Sequence, residues 1–249
     1  MHEDNCVITL TYDKENLPAG GTLVISHFQK FMKRLRKQYS NKKIRFYHCG
    51  EYGVDPFTDG LGRPHYHACI FNHQFNDLEI FEEKETGNVY TSEKLEKIWG
   101  KGFVTVMDLT LKSAGYVARY IIKKINGEKA DDHYQKICEI TGKKTKVQKE
   151  YATMSRKPGI GHEWYKEFKN DVFPLDDVIV LSSNSYHHVP TPKYYDTQLE
   201  RESPTLYQQI KNKRKEFAEL NIEDNTLKRL VVREVCKKAQ TKNQNRKLK

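Results

Sequence analysis

Apolar and polar positions alternate with two different periods along this chain. Asn5 to Tyr12 (Asn-Cys-Val-Ile-Thr-Leu-Thr-Tyr) is a β-branched run and predicts a first strand. Pro18-Ala19-Gly20-Gly21 breaks it, and Ser26 stands where a helix N-cap would. Phe28, Phe31, Met32 and Leu35 then recur at helical spacing and form a core stripe. Lys30, Lys33, Arg34, Arg36 and Lys37 fall mostly off that stripe, so this helix is amphipathic and basic. Lys43 to Glu51 predicts a second strand. A loop carrying Pro56, Gly60, Gly62 and Pro64 leads to a third, residues 65–72, and the two strands would pair as an antiparallel hairpin with a long connection.

Further along, Ser92 to Trp99 reads as a short helix with Leu95, Ile98 and Trp99 inward, and Gly102 to Met107 as a fourth strand. Ser113 to Ile125 reads as a helix whose buried side is drawn from Val117, Ala118, Ile121, Ile122 and Ile125. Residues 126–146 are polar, a loop or partial helix. Lys149 to Ser155 predicts a fifth strand, closed by Pro158-Gly159-Ile160-Gly161, and His162 to Phe168 another helix. Val178 to Leu181 is a further candidate strand, and residues 196–245 are charged, glycine-free and helical in pattern. The order strand–helix–strand–strand–helix–strand predicts an α+β fold: a central antiparallel sheet with flanking helices, expected on one side.

Composition adds a polyanion partner to this picture. The 249 residues carry a net charge of +10, unevenly spread. Residues 211–249 hold 13 Lys and Arg against 5 Asp and Glu, and residues 16–50 hold eight basic residues and no acid. Two separated basic surfaces suit nucleic acid; a merely solvated surface is the plainer alternative for the tail. No apolar run approaches the ~20 residues of a membrane span, and Met1-His2-Glu3-Asp4-Asn5 lacks the pattern of a signal peptide. Cys6, Cys49, Cys69, Cys138 and Cys236 are odd in number and widely spaced, without Cys-x-x-Cys. Cys6, Cys49 and Cys69 lie in apolar strand-like segments and read as buried free thiols, which fits a reducing cytoplasm.

The candidate chemistry lies in two segments. Side chains alternate along a strand, so His65 and His67 share a face with Cys69 and Phe71, while Tyr66, Ala68 and Ile70 take the other. Two imidazoles on one strand can hold a divalent cation, and a hard cation such as Mg²⁺ or Mn²⁺ needs a carboxylate as well. Glu51, ending the preceding strand, can supply it if the two strands pair; Asp55 and Asp59 are loop alternatives. Zinc is the second choice of metal, but its structural sites close with Cys or a third His, and alternation puts His48 and Cys49 on opposite faces. On the later helix Tyr116 and Tyr120 are four apart and share a face, with Lys123 and Lys124 following. A phenol has a pKa of about 10 and needs help to attack at neutral pH; a nearby ammonium supplies it. Packed aromatics at helical spacing are the alternative. Gly142-Lys143-Lys144-Thr145 echoes a P-loop but has Ile137 where the first glycine belongs, so no ATP-driven helicase is expected.

At these residues the chain resembles the HUH endonucleases, named for His–hydrophobe–His, with Tyr66 at the central position. Among them it resembles the rolling-circle replication initiators of microviruses, small single-stranded DNA phages, in the gokushovirus branch. Four segments carry the likeness in the expected order: Phe46 to Gly53, Gly62 to His67, Tyr116 to Lys124, and Met154-Ser155-Arg156-Lys157-Pro158-Gly159-Ile160-Gly161. A weaker fifth is Pro192-Lys193-Tyr194-Tyr195-Asp196. The resemblance implies a sheet-based endonuclease domain, residues 1–180, and leaves 181–249 as a largely helical, basic C-terminal extension. It implies a Mg²⁺ or Mn²⁺ site made by His65 and His67 with Glu51 as third ligand, Tyr116 and Tyr120 as two nucleophiles, and Lys123 or Lys124 as the assisting cation. The implied activity is nicking of single-stranded viral origin DNA through a 5′-phosphotyrosine, freeing a 3′-OH for a polymerase, then religation of the circle. The implied setting is the cytoplasm of a bacterial host, with host helicase and polymerase as partners; oligomeric state stays open. The basic helix over 27–37 and the tail would grip the DNA backbone. A DNA-binding protein without catalysis, or an HUH transposase or relaxase of another mobile element, are the rival readings.

Overall fold

The computed structural model describes the chain apart from residues 55–60, 85–86, 121–123, 138–141, 143, 183–184 and 243–249. Asp55, Asp59 and Lys123, named above as candidates, lie outside the described residues. Two compact units divide the chain at 156/157.

The first unit is built on a seven-stranded sheet. Its strands are β1 (Asn5–Thr11), β2 (Arg45–Val54), β3 (Leu61–Phe71), β4 (Leu78–Glu82), β5 (Val89–Ser92), β6 (Val104–Asp108) and, after a small β7–β8 hairpin (Gln135–Ile137 and Lys144–Lys146), β9 (Tyr151–Met154). The spatial order is β4-β5-β6-β1-β3-β2-β9, antiparallel at every pairing. The α+β expectation holds. Strands β4 and β5 had no sequence signal: β4 carries Glu79 and Glu82 on a largely exposed edge, so no apolar face marks it.

Alternation along the central strands gives the sheet two different faces. Ile8 and Leu10 of β1 and Tyr66, Ala68 and Ile70 of β3 turn one way, into the main core. Helix α1 (Ile25–Gln38) covers that face with Phe28, Phe31, Met32 and Leu35, spaced to form a single apolar stripe. Helix α2 (Glu93–Trp99) adds Leu95, Ile98 and Trp99; Ser92 caps it by accepting from the Leu95 N–H at 3.1 Å. Ser26 does not cap α1, because the helix begins a residue earlier, at Ile25. Val7, Cys49 and Cys69 turn the other way, where Val117 and Tyr120 cover them. Helices therefore lie on both faces of the sheet rather than one.

The second unit has its own smaller core. Helix α4 (Lys129–His133) belongs to the first unit; the second begins with α5 (His162–Leu175), a hairpin of β10 (Asp177–Ser182) and β11 (Ser185–Pro190), then α6 (Lys193–Glu202), α7 (Pro204–Leu220) and α8 (Leu227–Lys242). Tyr165 and Phe173 of α5 pack with Leu199 of α6 and Ile210 of α7. The expected boundary at 180/181 falls inside this unit, because α5 shares its core. Two segments that carried the family likeness meet here. The Tyr194 hydroxyl accepts from the Gly159 N–H at 3.1 Å and lies 3.0 Å from His162 Nδ1. A Cβ at Gly159 would come within 2.5 Å of the Tyr194 ring, so this close approach needs glycine. Part of the basic tail is structural too: the Arg214 guanidinium forks onto Asp176 and Asp196, with Nε 2.6 Å from Asp176 Oδ2 and Nη1 2.8 Å from Asp196 Oδ2.

Candidate metal and tyrosine site

Strand register assembles a three-residue cluster. β2 and β3 pair so that Glu51 lies directly opposite His65 and Cys49 opposite His67. Glu51, His65 and His67 thus share the face away from α1. Glu51 Oε1 lies 2.7 Å from His65 Nε2 and 3.2 Å from His67 Nε2. Their ligand atoms all fall within 4.8 Å of one another, a group that could hold a metal ion. Glu51 and His67 are buried, while His65 stays partly open. Burial alone would raise the Glu51 carboxyl, but hydrogen bonds and charge from His65 and His67 outweigh it and bring it down to about 2. The far side of each imidazole is also held: His65 Nδ1 lies 3.1 Å from the Arg63 carbonyl oxygen, and His67 Nδ1 2.9 Å from Thr9 Oγ1. From behind, Tyr66 anchors the strand. Its buried hydroxyl accepts from the Val24 N–H at 3.1 Å and donates to the Val24 carbonyl at 2.9 Å.

Helix α3 (Leu111–Arg119) brings the tyrosines to this cluster. It starts from a capping box: the Thr110 side chain accepts from the Ser113 N–H at 3.1 Å, and the Ser113 hydroxyl accepts from the Thr110 N–H at 2.8 Å. That start fixes the phase that turns Val117, Tyr116 and Tyr120 onto the sheet and leaves Ala118 exposed, against the expectation that Ala118 is buried. The Tyr120 ring stacks on the His67 imidazole, centroids 4.6 Å apart and planes within 3°. Tyr116 meets the same imidazole edge-on at 5.9 Å, and the Tyr120 hydroxyl donates to the Tyr116 hydroxyl. Burial raises the pKa of both phenols, and the Glu51 charge raises them further. Arg119, exposed one residue before Tyr120, pulls Tyr116 the other way. α3 ends at Arg119, short of the expected Ile125, so Lys124, half-buried, follows the helix rather than continuing its face.

Residues 5–125, which include all of these groups, match the family described as Replication-associated protein ORF2. The chain is 32% identical over 224 residues to "Replication-associated protein ORF2" of Spiroplasma virus 4, covering 86% of this chain and 64% of that protein. It is 30% identical over 233 residues to "Replication-associated protein VP4" of Bdellovibrio phage phiMH2K, covering 88% of this chain and 67% of that protein. The chain belongs to this family of replication-associated proteins of microvirus-like phages. A third relative, "Replication-associated protein ORF4" of Chlamydia phage 1, is 32% identical over 169 residues, 65% of this chain and 39% of that protein. The chain thus spans about two thirds of the length of the first two relatives. No solved structure matches.

In this replication-associated protein the basic residues of α1 do not border the cluster. α1 packs on the opposite face of the sheet. Arg34 spends its guanidinium on the end of α2, donating from Nε to the Ile98 carbonyl at 2.7 Å and from Nη2 to the Trp99 carbonyl at 3.0 Å. Arg36 donates to the Ile44 carbonyl and lies over the Phe46 ring. Lys30, Lys33 and Lys37 are exposed. Thr9, Arg63 and Arg119 are the groups that the sequence reading did not single out. Arg63 shares the face of His65 and is exposed, so alternation could have pointed to it, and Arg119 sits between the two tyrosines in the motif itself. Thr9 had no such signal: only the β1–β3 register, Thr9 opposite His67, places it. Among the described residues no helix is long and apolar enough to cross a membrane.

Proposed function

We propose that this protein nicks single-stranded phage origin DNA by tyrosine transesterification at the Glu51–His65–His67 cluster. The observation that carries the reading is the stack of Tyr120 on His67, which sets both phenols beside the triad. The donor set fits a divalent cation: one carboxylate and two imidazole Nε2 atoms converge on a partly open site, and a carboxylate with imidazoles suits Mg²⁺ or, better, Mn²⁺. When bound, such a cation would polarise the scissile phosphate and offset the Glu51 charge that opposes phenolate formation.

The chain's own residues do the rest. Tyr120 or Tyr116 attacks the phosphorus. The phenolic O–P bond forms, the P–O3′ bond breaks, and the departing 3′ oxygen takes up a proton. The 5′ phosphate stays on the tyrosine, so the bond energy is kept and the step reverses without ATP. The hydrogen bond between the phenols lets the two hydroxyls act at one phosphate in turn, the second when the origin is regenerated and the circle is sealed. Arg119 favours phenolate at Tyr116, and Arg63 and Lys124 are further cations for the phosphate charge. The freed 3′-OH is the primer for a polymerase.

A single-stranded origin oligonucleotide incubated with the protein and Mn²⁺ tests this. Wild type should give a covalent protein–DNA band on a denaturing gel, and His67→Ala or chelator-treated protein should not. An undiminished band in either control would overturn the metal reading, and no band from wild type on any origin strand would overturn the nicking activity.

A further inference from the structure

We infer that Thr9 is a positioning residue for the cation site: its hydroxyl accepts the Nδ1 proton of His67 and so keeps the Nε2 lone pair aimed at the cluster. The inference rests on the metal reading of the triad. His65 and His67 reach Glu51 through Nε2, so ligation requires the proton of each neutral ring to sit on Nδ1. For His65 a carbonyl does the holding, since the Arg63 oxygen 3.1 Å from Nδ1 can only accept. For His67 the atom 2.9 Å from Nδ1 is the Thr9 hydroxyl oxygen. A hydroxyl can accept from Nδ1–H or, after rotating, donate to a bare Nδ1.

That choice suits a ring with two tasks. Without a cation, an Nε2–H can donate to Glu51 while Thr9 donates to Nδ1. With a cation, the proton moves to Nδ1 and Thr9 turns to accept it. The ring itself need not move, which matters because Tyr120 lies flat against it. The geometry is built in from two strands: Thr9 stands opposite His67 in the β1–β3 register, while its neighbours Ile8 and Leu10 are fixed in the main core. Partners that hold the distal nitrogen of a metal-binding histidine typically contribute about 10–100-fold in affinity.

The test uses the full chain and Mn²⁺ alone, with free Mn²⁺ followed by electron paramagnetic resonance. Thr9→Val keeps the β-branched shape and removes the hydroxyl, and should weaken Mn²⁺ binding by about 10–100-fold; Thr9→Ser should bind close to wild type. Thr9→Val binding as tightly as wild type, or Thr9→Ser as weakly as Thr9→Val, would overturn the role of the hydroxyl while leaving the metal site standing. Failure of wild type itself to bind Mn²⁺ would remove the metal reading and this inference with it. A second measurement does not depend on the variants folding: ¹⁵N shifts of His67 in wild type saturated with Mg²⁺ should report protonated Nδ1. A protonated Nε2 would refute the assignment.

Discussion

Acid should unfold the sheet domain through His48, well before its carboxylates titrate. His48 stacks flat on Phe28, ring centroids 3.6 Å apart, with Nδ1 3.0 Å from Thr153 Oγ1 and Nε2 buried without a partner among the described residues. Burial is the main cause that holds its imidazole down to about 3. In the unfolded chain the ring titrates near 6.5. The folded pKa is the lower one, so the neutral ring's contribution is complete above about pH 6.5 and is lost progressively as pH falls from there towards about 3. Over that window the unfolded state binds one more proton, worth about 1.4 kcal/mol per pH unit. Moving from about pH 7.5 to about pH 5.0 crosses about 1.5 units of it and removes about 2 kcal/mol. His48→Phe keeps the stack on Phe28 and cannot charge, and Thr153 is exposed enough to turn its hydroxyl to water. Urea titrations of wild type and His48→Phe at both pH values give the comparison. The variant should gain about 2 kcal/mol relative to wild type over that interval, a change in the difference of midpoints of about 1 M. If the two proteins lose stability in parallel, His48 is not what limits the fold in acid and the burial argument fails.

Three other expectations follow from named contacts. Tyr116→Phe and Tyr120→Phe should each retain some covalent capture of an origin oligonucleotide, the double variant none, and both single variants should release sealed circles poorly; a single variant normal in both assays would make its tyrosine a packing residue. Arg34→Ala should cost about 2 kcal/mol in a urea melt, because two charge-assisted bonds to the end of α2 are lost, whereas Lys33→Ala should leave stability within about 0.5 kcal/mol and lower only the salt-dependent part of DNA affinity. Gly102→Ala should cost about 3 kcal/mol or more, since its φ is +135° and a Cβ would lie 2.3 Å from the Asp13 backbone nitrogen; a soluble variant with an unchanged melting midpoint would contradict that geometry.

The parts of the fold that were legible in the sequence are those with a strong period. Phe28, Phe31, Met32 and Leu35 could only be one stripe, and the alternation of His65 and His67 with Tyr66 could only be two faces. Glu51 was reachable because hairpin pairing is local, and the structure sets it opposite His65. What stayed hidden depends on long-range register or on an unremarkable pattern. β4 and β11 are largely exposed and offer no apolar side to read. The role of Arg34 was hidden because its partners, Ile98 and Trp99, lie 64 and 65 residues away. The segments 154–161 and 192–196 were recognisable as motifs, but only coordinates show that Tyr194 and Gly159 close on each other.

The histidine strand behaves like a reading frame. In β3 from Pro64 to Ile70 nearly every side chain is committed, one set to chemistry and the other to the packed interior, with no neutral position between them. Substitutions there are felt singly, in whichever set they touch. An inserted or deleted residue is different in kind, because it would carry a tyrosine into the cation cluster and an imidazole into the hydrocarbon behind it. Lineages of this protein can therefore drift in length in the connection between β2 and β3, but within β3 they can drift only in identity. The spacing from Pro64 to Ile70 should be the least elastic stretch of the whole chain.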